Sequence, residues 1–190
     1  MRFFTFILGF LFMMSCQEKS ASVYRKNFLD SEKNIIRIAD SIIRSAYFST
    51  LITLDKQEQP RARIVEPFLP EKEFVIWIGT NPKSRKVKQL MQNSKATLHY
   101  FDKSKLAYVS LMGNAFLVNK DSIKSVKFKK GWDKFYPNRK NDYLLIKFIP
   151  ETLEVINLSS GYSGDSITWK PHRVVLRNYP FILYKQKRIF

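Results

Sequence analysis

Apolar residues recur at helical spacing early in the chain: Ile35, Ile36, Ile38, Ala39, Ile42, Ile43 and Ala46 fall close to every third or fourth position. That period predicts a helix capped by Asp30 or Ser31, with its isoleucines in the core. The period then drops to two. Residues 47–55 are rich in β-branched and aromatic side chains and read as a strand, which 56–59 turns back. Residues 61–67 and 74–78 continue the sheet. Val87, Leu90 and Met91 return to helical spacing, so a second helix runs to about Asn93. Residues 96–101 and 106–118 read as a hairpin around Asp102-Lys103-Ser104-Lys105. Residues 122–129 read as a short helix and 132–141 as a loop. Residues 143–149 and 152–158 are further strands, separated by Pro150. Many short strands with few helices predict a mainly β (α+β) domain closed as a barrel.

The N-terminus breaks this pattern. Arg2 precedes an apolar run over residues 3–14, followed by Ser15 and Cys16. The run is short of the roughly 20 residues that span a bilayer. It has the form of a secretory signal: a positive start, an apolar stretch, a small residue before the cut. Cys16 is the only cysteine, so no intramolecular disulfide exists. A lone cysteine after a small residue at the end of such a run resembles a bacterial lipoprotein signal, although Met13 stands where that motif usually has leucine. The resemblance implies cleavage before Cys16 and lipid on its sulfur, hence a protein exported and lipid-anchored to a bacterial envelope membrane. The alternative is an ordinary signal peptide with Cys16 incidental. The expected organisation is signal peptide 1–15, tether 16–28, folded domain 29–160 and a basic C-terminal extension 161–190 packed on the barrel. A hydrophobic fraction of 45% fits one packed globule.

Candidate chemistry centres on Gly79-Thr80-Asn81-Pro82-Lys83-Ser84-Arg85-Lys86, between an apolar strand and the second helix. Ser84 as N-cap leaves the first backbone N–H groups of that helix pointing into the turn. The helix dipole adds partial positive charge there. Arg85 can grip a phosphate through two bonds, Lys86 adds a point charge, and Thr80 offers a hydroxyl. Together they form an anion site at a helix start. A capped surface helix with solvated cations is the competing reading.

The order of segments around this turn resembles the pyridoxamine 5'-phosphate oxidase-like superfamily of FMN-binding split barrels. Arg63-Ile64-Val65 stands in the place of that family's Arg-x-Val strand. Thr80-Asn81-x-x-Ser84-Arg85-Lys86 matches its turn, and Tyr108 to Gly113 matches its hairpin. Trp132 and Phe135-Tyr136-Pro137 resemble the general-stress-protein branch. The resemblance covers about residues 30 to 160. It implies a six- to seven-stranded split β-barrel with a few flanking helices, and a homodimer holding FMN between its subunits. Arg63, Ile64 and Val65 would lie along the flavin, Thr80 would hydrogen-bond it, and Ser84, Arg85 and Lys86 would take its phosphate. Tyr108 falls where the oxidases place a glutamine, and Gly79 where they have an aromatic. Their C-terminal Arg-x-His motif has no counterpart in Trp169-Lys170-Pro171-His172-Arg173. The resemblance therefore implies flavin binding more than vitamin B6 oxidation; the substrate and the catalytic residues stay unknown.

Net charge is +17, with part of it in Lys120, Lys124, Lys127, Lys129, Lys130, Lys134, Arg139 and Lys140. After Asp165 the chain has six Lys or Arg and no acid. Such a surface attracts polyanions, unless the charge merely solubilises. Export would replace nucleic acid as a partner with anionic lipid or an anionic envelope polymer. One cysteine and two histidines (His99 and His172) give no zinc set. No Walker, GxSxG or GxGxxG motif occurs, so redox chemistry would have to come from a cofactor. The leading expectation is an FMN-binding oxidoreductase-like protein. The alternatives are a non-catalytic, membrane-anchored binding protein on the same fold, using its basic surface, and a haem-binding split barrel.

Overall fold

The structure, a computed structural model, describes residues 31–176. The expected signal peptide, Cys16, the tether and residues 177–190 lie outside the described residues. The chain divides into two compact units, Met1–Arg37 and Ile38–Phe190. Helix α1 occupies residues 31–45.

Seven strands build one antiparallel sheet: β1 (Ser49–Leu54), β2 (Pro60–Val65), β3 (Ile76–Thr80), β4 (Lys95–Asp102), β5 (Ala107–Val118), β6 (Leu144–Asn157) and β7 (His172–Val175). Their order is β2-β1-β4-β5-β6-β3, with β7 beside β6. Along β1 the inward residues Ser49, Leu51 and Thr53 are buried and those between them half-buried, which is the period-two pattern read from sequence. The core gathers Leu51, Leu98, Leu111, Ile146, Leu153 and Val155. Ala39, Ile42 and Ile43 of α1 are fully buried, as helical spacing predicts.

The sheet curls until its two edges almost meet. Pro67, just past β2, bridges Ile78 of β3, and Phe68 N–H donates to Trp77 O at 2.8 Å. The two strands share no other ladder, and α2 (Arg85–Gln92) bonds across from the end of β3 to β2. This is the expected split barrel.

Two expectations are corrected. Pro150 does not separate two strands, because β6 runs unbroken through it. The register against β5 shifts between Met112 and Gly113, so Pro150 sits at a bulge, where its missing N–H costs no ladder bond. Gly113 makes this possible: a Cβ there would lie 2.2 Å from Ile149 O. The expected loop 132–141 holds a 3₁₀ turn, Trp132–Lys134, and a short helix. That helix, α4 (Arg139–Asp142), follows α3 (Asp121–Val126).

An aromatic cluster locks this region onto β3. Trp77, Trp132, Tyr143 and Leu145 are buried together, with Phe68, Phe128 and Tyr136 packed around them. Trp132 meets Phe68, Phe128, Tyr136 and Tyr143 edge-on, at centroid distances of 5.6 to 6.1 Å. Its indole N–H donates to Glu66 at 3.2 Å, and the Tyr143 hydroxyl donates to Lys127 O. The ring lies over Gly79, where a Cβ would come within 2.3 Å of it. Glycine at that position is therefore demanded by packing from a distant element.

Candidate functional site

Two groups of side chains meet where α2 crosses to β2. The first is at the end of β3. Asn81 shapes the turn, taking Lys83 N–H on its side chain at 2.8 Å and Ser84 N–H on its carbonyl at 3.0 Å. Ser84 holds the N-cap position, but its hydroxyl makes no cap bond. It turns instead to Thr80, with 3.1 Å between the two oxygens. The helix therefore keeps its leading amides open, since the first N–H groups of a helix have no acceptor within it. Lys86 curls back and donates to Thr80 Oγ1 at 3.0 Å. Thr80 itself is buried.

Arg63, on β2, anchors the second group. Its guanidinium donates to Leu51 O at 3.2 Å, Thr53 Oγ1 at 2.6 Å and Gln89 Oε1 at 2.8 Å. Thr53 also donates to Gln89, at 2.7 Å. Gln89 lies one helical turn beyond Arg85 and Lys86, so the helix that carries those cations is bolted to the strand that carries Arg63. Sequence reasoning missed Thr53 and Gln89. The available signals were Thr53's inward place in the strand alternation and Gln89's spacing on α2.

The cluster is electropositive. Burial lowers the Arg63 pKa, and the nearby Arg85 lowers it further. Burial likewise lowers that of Lys86, with Arg63 adding to the effect. Among the described residues no carboxylate forms an ion pair with Arg63, Arg85 or Lys86. Arg63 repels both Arg85 and Lys86, and an anion placed among the three at the helix start would relieve that repulsion.

The remaining expected residues lie elsewhere. Val65 points into the core, and Ile64 is exposed on the opposite face from Arg63. Ile64 begins a row across the outer face of the sheet: Ile64, Thr50, His99, Ser110, Glu154 and Arg173, each paired with the next. Tyr108 is half-buried one row away, its ring centroid 5.4 Å from that of His99. Burial raises its pKa, with Glu154 adding to the effect. His99 Nδ1 lies 2.9 Å from Ser110 Oγ, and burial lowers the imidazole pKa. The structure therefore unites Arg63, Thr80, Ser84, Arg85 and Lys86, and sets Ile64 and Tyr108 on the sheet's outer side.

Half of the expected basic stretch is engaged internally. Lys124 is buried, with its ammonium on Asn119 Oδ1 at 3.0 Å and Lys140 O at 3.1 Å. Lys127 pairs with Glu71, and Lys129 with Glu66. Arg139 pairs with Asp133 and covers the Phe128 ring at 3.6 Å. Charges held this way are poor material for a polyanion surface.

The family model for pyridoxamine 5'-phosphate oxidase matches residues 38–157. No curated protein matches the chain. Several solved structures share the fold. One is a Clostridium acetobutylicum protein related to general stress protein 26 of B. subtilis, of the pyridoxinephosphate oxidase family. It is 18% identical over 80% of this chain and 96% of that one, with a TM-score of 0.60. Another is a pyridoxamine 5'-phosphate oxidase-related, FMN binding protein from Nostoc punctiforme, 14% identical over 75% of this chain and 95% of that one, with a TM-score of 0.53. A heme binding protein from Mycobacterium smegmatis is 16% identical over 74% of this chain and 57% of that one, with a TM-score of 0.57.

Proposed function

The chain belongs to the pyridoxamine 5'-phosphate oxidase family, and on that premise we propose that it is an FMN-binding, oxidoreductase-like protein. The observation that carries this reading is Arg85 and Lys86 beside Thr80 and Ser84, with Arg63 close enough to bear on both cations and no acidic ion-pair partner for any of the three among the described residues. A phosphate monoester fits them: a dianion with oxygens enough for a guanidinium, an ammonium, two hydroxyls and open amides. Arg85, exposed and without an ion pair among the described residues, would take the phosphate by its fork, and Lys86 would neutralise it from Thr80. Arg63 would stay fixed on Thr53 and Gln89 and supply field. Bound FMN would supply hydride or single-electron exchange with a small molecule of unassigned identity.

The outer sheet face supports the second half of the site. Phe101 is exposed there beside Tyr108, and Ile64 is exposed on the same face at the β2 edge. A second copy of the chain covering this face would shield them and bring Ile64 and Tyr108 to the isoalloxazine, which accounts for their distance from the cation cluster. Residues 1–28 support an exported, envelope-anchored protein with lipid on Cys16. Loss of fatty-acid labelling in Cys16→Ser is the expected result, and labelling that survives the substitution would contradict it.

One observation favours haem as a second reading. Ser110 holds His99 Nδ1, and Nε2 makes no hydrogen bond among the described residues, which is how a metal-bound imidazole is oriented. The visible spectrum of the purified full chain separates the two readings. Two flavin bands, or bands that grow in saturably with added FMN, support the proposal. A sharp Soret band moves it to haem, and a colourless chain that ignores FMN overturns it.

A further inference from the structure

The two most exposed large apolar side chains among the described residues, Ile167 and Trp169, lie at one end of the sheet. The β4–β5 turn there presents Leu106, and the 3₁₀ turn after β6 presents Leu158, whose N–H bonds Leu106 O at 3.5 Å. The following loop is tied to the same end, since Tyr162 bridges Asn157. It carries Ile167 and Trp169, exposed by 85% and 79%. Leu106 and Leu158 are exposed by 59% and 50%. Single exposed leucines are ordinary, but a tryptophan and an isoleucine this exposed, two residues apart, are not.

The loop is built to hold them out. Asp165 Oδ1 accepts the Ile167 N–H at 3.1 Å, the Thr168 N–H at 2.7 Å and the Thr168 hydroxyl at 2.7 Å. Backbone bonds between Asp165 and both Lys170 and Trp169 close the turn. Trp169 and Leu106 both adopt left-handed backbone, φ +59° and +46°, which bulky side chains rarely do. Two strained positions, each presenting an apolar group to solvent, cost the fold stability without adding to its core.

The surrounding charge is cationic. Lys103 and Lys105 flank the leucine turn, and Lys170 and Arg173 follow the tryptophan. Two acids at this end are occupied, Asp102 by Ser45, Ser104 and Lys105 and Asp165 by its own loop, and Glu154 stands opposite Arg173 in the ladder. No acid follows Asp165 in the sequence.

We propose that this end of the sheet docks on an anionic lipid bilayer. Trp169 and Ile167 enter the interface, where an amphipathic indole sits at headgroup level. Lys103 and Lys170 face the acidic headgroups. The exposed tip and its charge would act whether or not a flavin is bound.

The tryptophans make the test direct. Trp77 and Trp132 are 7% and 6% exposed, so Trp169 alone among the three reports on solvent or lipid. The full chain is mixed with vesicles of brominated phosphatidylglycerol and phosphatidylcholine. Loss of Trp169 emission is expected, together with a blue shift, and both should be absent in Trp169→Phe. Quenching should weaken as salt rises and as phosphatidylglycerol is withdrawn. Emission unchanged by vesicles overturns the proposal. Equal quenching by purely zwitterionic vesicles overturns its electrostatic part. Protection of Trp169 from acrylamide without lipid, growing with protein concentration, would instead assign the tip to a second copy of the chain.

Discussion

Replacing Arg85 and Lys86 together by alanine is expected to weaken FMN binding about 100- to 10,000-fold while leaving the unliganded protein within about 1 kcal/mol of its original stability. The loss follows from two charge-assisted contacts to phosphate, at roughly 1.5–3 kcal/mol each. The small effect on the empty protein follows from the repulsion in the cluster. Arg85 bears on Arg63, and Arg63 on Lys86, with no carboxylate paired to any of them among the described residues. Removing two of the three relieves that strain and sacrifices one hydrogen bond, from Lys86 to Thr80. Flavin titration and thermal melting with and without FMN read both quantities. A folded double variant that binds FMN as the parent does would sink the site assignment. A variant that loses several kcal/mol without ligand would show that the cations serve the fold.

Gly79→Ala is expected to cost about 3 kcal/mol of stability, and Trp132→Ala about 3–5 kcal/mol. The added methyl would press into the Trp132 ring at 2.3 Å and Tyr143 at 2.7 Å, and the aromatic cluster leaves the ring little freedom to yield. With Trp132 gone, most of that overlap disappears, so the double variant should be more stable than the sum of the single losses by at least about 1 kcal/mol. Denaturant midpoints of the four proteins close the cycle; simple additivity would contradict the packing described. Because Gly79 precedes Thr80, a strand pushed aside by the methyl also displaces the hydroxyl shared by Ser84 and Lys86. Gly79→Ala should therefore weaken FMN binding as well.

Periodicity carried most of the fold. The isoleucine spacing of α1, the alternation of β1 and the hairpin of β4 and β5 are local patterns, and each is where its pattern puts it. Pro150 misled because its effect is set by a partner strand: opposite Gly113 at a bulge, a missing N–H is harmless. Residues 132–141 read as loop because their aromatic spacing fits neither regular period, yet Trp132 anchors a cluster assembled from four separate segments. β7 is only four residues long and borrows its stability from β6, so no local signal marks it. Within the site, Thr80, Ser84, Arg85 and Lys86 are close in sequence and were legible as a unit. Arg63 came from the family resemblance. Thr53 and Gln89 were invisible because their role exists only once α2 crosses to β2. The basic stretch was legible only as charge, since counting along a chain does not show that Lys124 is buried or that Lys127 and Lys129 have carboxylate partners.

The central claim is that these cations hold a phosphate, and FMN differs from riboflavin by that phosphate alone. The decisive measurement is therefore a titration of the purified full chain with each flavin in turn. The account predicts saturable binding of FMN and binding of riboflavin weaker by at least about 100-fold. Equal affinity for the two, or no binding of either, would contradict it.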